Sequence, residues 1–224
     1  MDRPESLIKA INILRSFEDS VELRNCYRDT MLALLGIGII ISIIGGLSAY
    51  LILTVMGFSN SEFMGILAGC ILLAIGFAIG DELGLRSSNC RVMLKKWHNT
   101  VRTLITLTSD AFNKYSIDVN LGKMEEVLLG KKLPKRIKIS ILVLRQVFEE
   151  ILMPLYSILE KAENMDIEDT KRKCIASEVV ACIRSFEHFD EIYQSMTNKT
   201  SALKESIIDI IKRKIENING ILSE

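Results

Sequence analysis

Few residues in this chain have the chemistry for catalysis or metal binding: two histidines, His98 and His188, and five cysteines, Cys26, Cys70, Cys90, Cys174 and Cys182. His188 and Glu191 stand three apart and share one helix face. Carboxylate-bridged metal sites in helical bundles use Glu-x-x-His units from several helices. Here the order is reversed and occurs once, so an ion pair on a helix surface is the expected role. Cys174 and Cys182 are eight apart, as are Cys90 and His98, and there is no C-x-x-C pair. Zinc requires four well-placed nitrogen or sulfur ligands, so no metal is expected. No phosphate-cradling G-x-x-x-x-G-K-[ST] loop, nucleophile elbow or dinucleotide fingerprint occurs, and Gly36-Ile37-Gly38 lies inside an apolar run. The expectation is a non-enzymatic chain without a cofactor. The odd number and irregular spacing of the cysteines argue for reduced thiols in a cytoplasmic setting rather than a disulfide framework.

The charges are distributed unevenly. The formal net charge is zero, so no global field draws nucleic acid, which is not an expected partner. Between Met31 and Gly80, however, Glu62 is the only charged residue. Such a stretch cannot be a soluble surface, and a soluble core helix would keep a polar stripe. At about 1.5 Å per residue, Met31–Gly57 reaches roughly 40 Å and Phe63–Gly80 roughly 27 Å, against a hydrocarbon core of about 30 Å. Two membrane spans joined by Phe58-Ser59-Asn60-Ser61-Glu62 are therefore expected, with Ser59 and Glu62 in the S-x-x-E capping relation. That connection has no Lys or Arg, whereas Arg24 and Arg28 precede the first span and Arg86, Arg91, Lys95, Lys96 and Arg102 follow the second. The positive-inside rule then predicts a multi-pass protein with both termini in the cytoplasm and the lipid bilayer as its first partner.

Glycines mark the faces of these spans. Gly65, Gly69, Gly76, Gly80 and Gly84 stay on roughly one side of the second span, and the first adds Gly45 and Gly46 besides Gly36 and Gly38. Small residues let helices approach closely in lipid. Gly45, Gly46, Gly65, Gly69, Gly76 and Gly80 are thus candidates for membrane-helix packing, either within one chain or between subunits. No ionisable group sits deep in either span, which argues against a pump or a proton relay. Glu62, Asp81 and Glu82 flank the second span and would form acidic pore mouths if the hairpin assembled into a ring.

Beyond the spans, apolar residues recur in steps of three and four, the pattern of packed helices. One series runs Leu94, Trp97, Val101, Leu104, Thr108, Ala111 and Tyr115. The second is Ile137, Ile141, Leu144, Phe148, Ile151, Leu155 and Ile158. The third is Ile175, Val179, Cys182, Phe186, Phe189, Tyr193 and Met196, and the fourth Ile208, Ile211, Ile215, Ile218 and Leu222. Pro134 opens the second helix and Pro154 predicts a kink within it. Asp166 or Asp169 would cap the third and Thr200 or Ser201 the fourth, while Gly122 and Gly130 bracket a short helix between the first and second. Residues 5–28 read as one further amphipathic helix. The last helix has a wide apolar face, making Ile208, Ile211, Ile215 and Ile218 a candidate assembly face. Lys131, Lys132, Lys135, Arg136 and Lys138 put five positive charges within eight residues. Positive charge opposes the dipole of the helix start, so an acidic partner or anionic lipid is the candidate ligand.

The expected fold is all-α: a two-helix transmembrane hairpin with a cytoplasmic antiparallel helical bundle. The expected boundaries are 1–30 for an amphipathic helix, 31–80 for the hairpin (31–57 and 63–80), and 81–224 for the bundle. Membrane anchoring with self-assembly or partner binding through the cytoplasmic helices, as a homo-oligomer or with another protein, is the leading functional expectation. An oligomeric channel or pore-forming effector is the alternative.

Overall fold

The computed structural model describes residues 5–131, 134–165, 167–197 and 207–223, the side chains of Asp81, Ile207 and Ser223 excepted. All regular structure among them is helical. They fall into two compact units, residues 19–96 and residues 1–18 with 97–224. The hairpin unit thus extends past the apolar runs on both sides, and the N-terminal helix belongs with the bundle.

Helix α1 (Glu5–Glu18) turns Leu7, Ala10, Ile11, Leu14 and Phe17 inward. The helix expected over 5–28 is broken at Asp19-Ser20, because Ser20 starts a new helix, α2 (Val21–Val55). Its hydroxyl accepts the Leu23 N–H at 3.4 Å, satisfying one of the donors that a helix start leaves free. At the far end of α2, Gly57 takes a φ of +77°, the left-handed conformation that closes a helix and that glycine adopts without strain. Helix α3 (Ser61–Leu85) follows. The capping box expected from Ser59 and Glu62 does not form: Asn60 occupies the cap position and its side chain makes no capping bond. After a turn at Arg86-Ser87 the chain continues as α4 (Ser88–Asn113), with the Ser87 hydroxyl accepting the Cys90 N–H at 3.2 Å.

In the bundle, α5 (Gly122–Leu129) lies between Gly122 and Gly130 as the sequence suggests. The main rod is α6 (Pro134–Val147), a π-helical turn (Phe148–Leu152) and α7 (Met153–Asn164). The π turn is how Pro154 is accommodated. An unbroken α-helix would ask residue 154 for an N–H that proline lacks and would crowd the Glu150 carbonyl. One widened turn shifts the pairing, so that the Met153 N–H bonds to the Phe148 carbonyl. Against this rod pack α8 (Asp169–Arg184), α9 (Phe189–Thr197) and α10 (Ile207–Ser223), while the 3-10 turn (Ser185–His188) between α8 and α9 packs on α5. Asp169 is the first residue of α8 and Glu168 stands at its cap; Asp166, Thr200 and Ser201 lie outside the described residues. Every residue of the 137–158 series is buried. Two polar links order the core: Trp97 Nε1 donates to the Leu128 carbonyl at 3.1 Å, and the Ser140 and Tyr193 hydroxyls meet at 3.1 Å. The Trp97 ring also lies 5.3 Å from that of Phe17, docking α1.

Candidate functional site

The feature with the most specific geometry is the α2–α3 pair. Thr30, Leu34, Gly38, Ser42, Gly46 and Tyr50 recur every four residues along α2 and form the ridge against which the α3 glycines sit. A Cβ on Gly84 would lie 2.7 Å from Thr30 Cα, one on Gly80 2.7 Å from Leu34 Cα, and one on Gly76 2.8 Å from Gly38 Cα. Towards the turn, a Cβ on Gly46 would meet Gly69 Cα at 3.3 Å, and one on Gly65 would meet Tyr50 Cβ at 2.9 Å. Backbone thus touches backbone along the whole pair, as only glycine permits. Gly38 and Gly45 instead make room for side chains, the Phe77 ring and Leu72 respectively, whereas nothing lies near Gly36. Within this row the Ser42 hydroxyl donates to the Gly69 carbonyl at 2.8 Å. The glycine faces therefore pack within one chain.

Their outer surface is the opposite kind. Leu32, Ile40, Ile44, Leu47, Leu51, Phe63 and Ile66 are among many large apolar side chains left exposed. Only 11% of the most apolar stretch ending in α2 and 22% of that in α3 is buried. Both helices are long and apolar enough to cross a membrane. Near the turn, Ser42, Ile43, Gly46, Leu47, Tyr50, Glu62, Gly65 and Ile66 line an open groove of about 520 Å³. Glu62 is thus on the rim of a groove containing three polar side chains. Glu82, by contrast, pairs with Arg86 at 2.8 Å, and the side chain of Asp81 lies outside those described.

At the other end, the pair continues as α2 against α4. Cys26 and Cys90 form a disulfide with Cα atoms 4.5 Å apart, and both residues are fully buried. This corrects the expectation of reduced thiols throughout. Beside them Asn89 Nδ2 donates to Asp29 at 2.8 Å, and Lys96 pairs with Glu22 at 3.1 Å. Backbone hydrogen bonding at the start of α2 holds the Glu22 carboxyl below the usual glutamate range, and Lys96 lowers it further. The cysteine pair was hidden in the sequence because it depends on register. With Gly84 facing Thr30, Cys26 falls one turn further on in α2 and Cys90, past the Arg86-Ser87 turn, in the first turn of α4, and the two come alongside each other.

The chain matches no known protein family, and neither a curated protein nor a solved structure is similar to it.

The remaining candidate positions are scattered. Lys135, Arg136 and Lys138 are exposed at the start of α6, while Lys131 sits with Nζ 4.7 Å from the Tyr193 ring centre; Lys132 lies outside the described residues. His188 is exposed in the 3-10 turn, and no group of metal-ligating side chains forms among the described residues. The candidate assembly face is turned into the chain's own bundle. Ile208, Ile211, Ile215 and Ile218 are 5%, 1%, 6% and 2% exposed, on a helix that packs against α7, α8, α9 and the π turn. A wide apolar face is needed because α10 has neighbours on several sides within this chain.

Proposed function

We propose that this chain is a membrane-anchored, non-enzymatic interaction protein, with α2 and α3 spanning the bilayer and the helical bundle binding a partner or a second copy. The observation that carries this reading is the inversion of the α2–α3 pair: glycines inside, large aliphatic side chains outside. In water, so much contiguous exposed apolar surface would drive aggregation. In lipid it is the expected outer surface, and close glycine packing supplies the association that hydrophobicity cannot. The basic residues Arg24, Arg28, Arg86, Arg91, Lys95 and Lys96 support placing the end with Cys26 and Cys90 in the cytoplasm.

A second reading, an oligomeric pore, is favoured by the groove that brings Ser42, Tyr50 and Glu62 together on the hairpin surface. Two helices enclose no channel, so several chains would have to turn this groove towards a common axis. The protein mass of the purified chain in mild detergent, corrected for bound detergent, separates the two. One or two chains is the result expected. A closed ring of four or more would favour the pore, and Glu62→Gln should then change cation conductance.

A further inference from the structure

Several ties cross from α2 to α4 just beyond the apolar runs, among them Asp29 to Asn89, Glu22 to Lys96, and Cys26 to Cys90, the Cys90 sulfur also meeting the Thr30 hydroxyl at 3.6 Å. The first two are polar contacts within reach of water. The third is covalent, fully buried, and closes a loop of sequence separation 64 that contains both apolar stretches. Thr30 roofs it, donating to the Cys26 carbonyl at 2.8 Å and packing on Gly84. The arms flanking this pair carry Arg24, Arg28, Arg86, Arg91, Lys95 and Lys96. On the membrane reading, which this argument uses, that charge bias puts the pair in the cytoplasm, where thiol reductants work against permanent disulfides. A bond there is a state to be made and unmade.

We propose that Cys26 and Cys90 form a redox-controlled staple that locks the two arms of the hairpin where they leave the bilayer. In closing, one cysteine thiolate attacks an oxidised partner disulfide, such as glutathione disulfide. This forms a mixed disulfide and releases one thiol. The second cysteine displaces the other half, so the partner leaves as two thiols carrying the two electrons and two protons given up by the chain. A dithiol or excess glutathione runs the same steps backwards. Because both sulfurs are buried, the arms must part before exchange, and the staple responds more slowly than the exposed Cys174. Opening releases the only covalent tie between α2 and α4 among the described residues, leaving non-covalent contacts, those of Asp29 and Glu22 among them, to hold the arms.

The test uses the full wild-type chain in membrane vesicles equilibrated at graded ratios of reduced to oxidised glutathione. After acid quenching, denaturation and alkylation, mass spectrometry counts free thiols on the Cys26 and Cys90 peptides. Both should pass together from alkylated to protected within the cellular range of ratios. Hydrogen exchange over residues 21–30 and 88–96 should slow by about tenfold or more on closure, as a cross-link that restricts opening requires. Free thiols at every ratio, protection at every ratio, or closure without slower exchange would each overturn the proposal. In Cys26→Ala, exchange should stay at the open-state rate whatever the ratio; a redox response there would also overturn it. If alkaline washing strips the chain from the vesicles, the membrane reading falls, while the thiol titration of the same chain still decides the staple.

Discussion

Replacing Gly80 by alanine probes the α2–α3 pair most sharply. The new Cβ would stand 2.7 Å from Leu34 Cα and 2.8 Å from the Ala33 carbonyl oxygen. Carbon atoms pack at about 3.5–4.0 Å, so the helices must separate by roughly 1 Å at that rung. The neighbours are backbone and have no rotamer to give. Overpacking of this kind costs about 1–3 kcal/mol. Alanine also gains about 1 kcal/mol of helix propensity over glycine, which partly offsets the clash. Gly36→Ala removes that ambiguity, because nothing lies within 4 Å of its added Cβ. It takes the propensity gain without the clash. The two variants should therefore differ by about 1–3 kcal/mol, with Gly80→Ala the less stable. Titration of the full chain from mild detergent into SDS, followed by ellipticity, measures the difference. Equal midpoints would refute the packing, and with it the assignment of the glycine face to the interior of one chain.

Two further predictions concern the bundle. Ile211→Lys buries an unpaired charge and should destabilise the domain by more than about 4 kcal/mol, whereas Ile210→Lys, at a position 41% exposed, should change stability by less than about 0.5 kcal/mol; chemical denaturation compares them. Loss of assembly in Ile211→Lys without loss of folding would contradict the core placement of α10. The Glu150 carboxyl supplies a pH dependence: burial raises its pKa, but hydrogen bonds from Lys212 and Gln146 outweigh this and hold it below the usual glutamate value. A depressed folded-state pKa means that the stabilisation is present above the unfolded value and is lost as pH falls through the folded one. Wild type should thus lose up to about 1 kcal/mol relative to Glu150→Gln on acidification below the normal carboxylate range, the pair being partly exposed. Parallel acid titrations of the two proteins would show it, and superimposable curves would remove the role given to Lys212.

How much of this was legible depends on whether a feature is local. The helical series at 137–158 and 208–222 could be read because each seam repeats along one element, and every residue in them is buried. The disturbance at Pro154 was legible because proline always lacks the donor, although its form, a π turn, depends on how the rod is packed. The break at Asp19-Ser20 was missed because the apolar positions on either side keep helical spacing while the capping serine interrupts the backbone. Two site features lie beyond local reading. Cys26 and Cys90 meet only once the glycine row has set the register of the hairpin. The isoleucines of α10 have the composition of a docking face and of a core alike, and only the count of neighbouring helices separates the two.

The central claim is that lipid covers the outer surface of α2 and α3. Alkaline carbonate washing of membranes from cells making the full chain tests it most directly, because the wash removes proteins held by charge or by protein contacts and leaves those embedded in the bilayer. The account predicts that the chain stays with the membrane pellet. Recovery in the supernatant would mean that other protein surfaces cover those exposed leucines and isoleucines, and the anchored reading would be wrong.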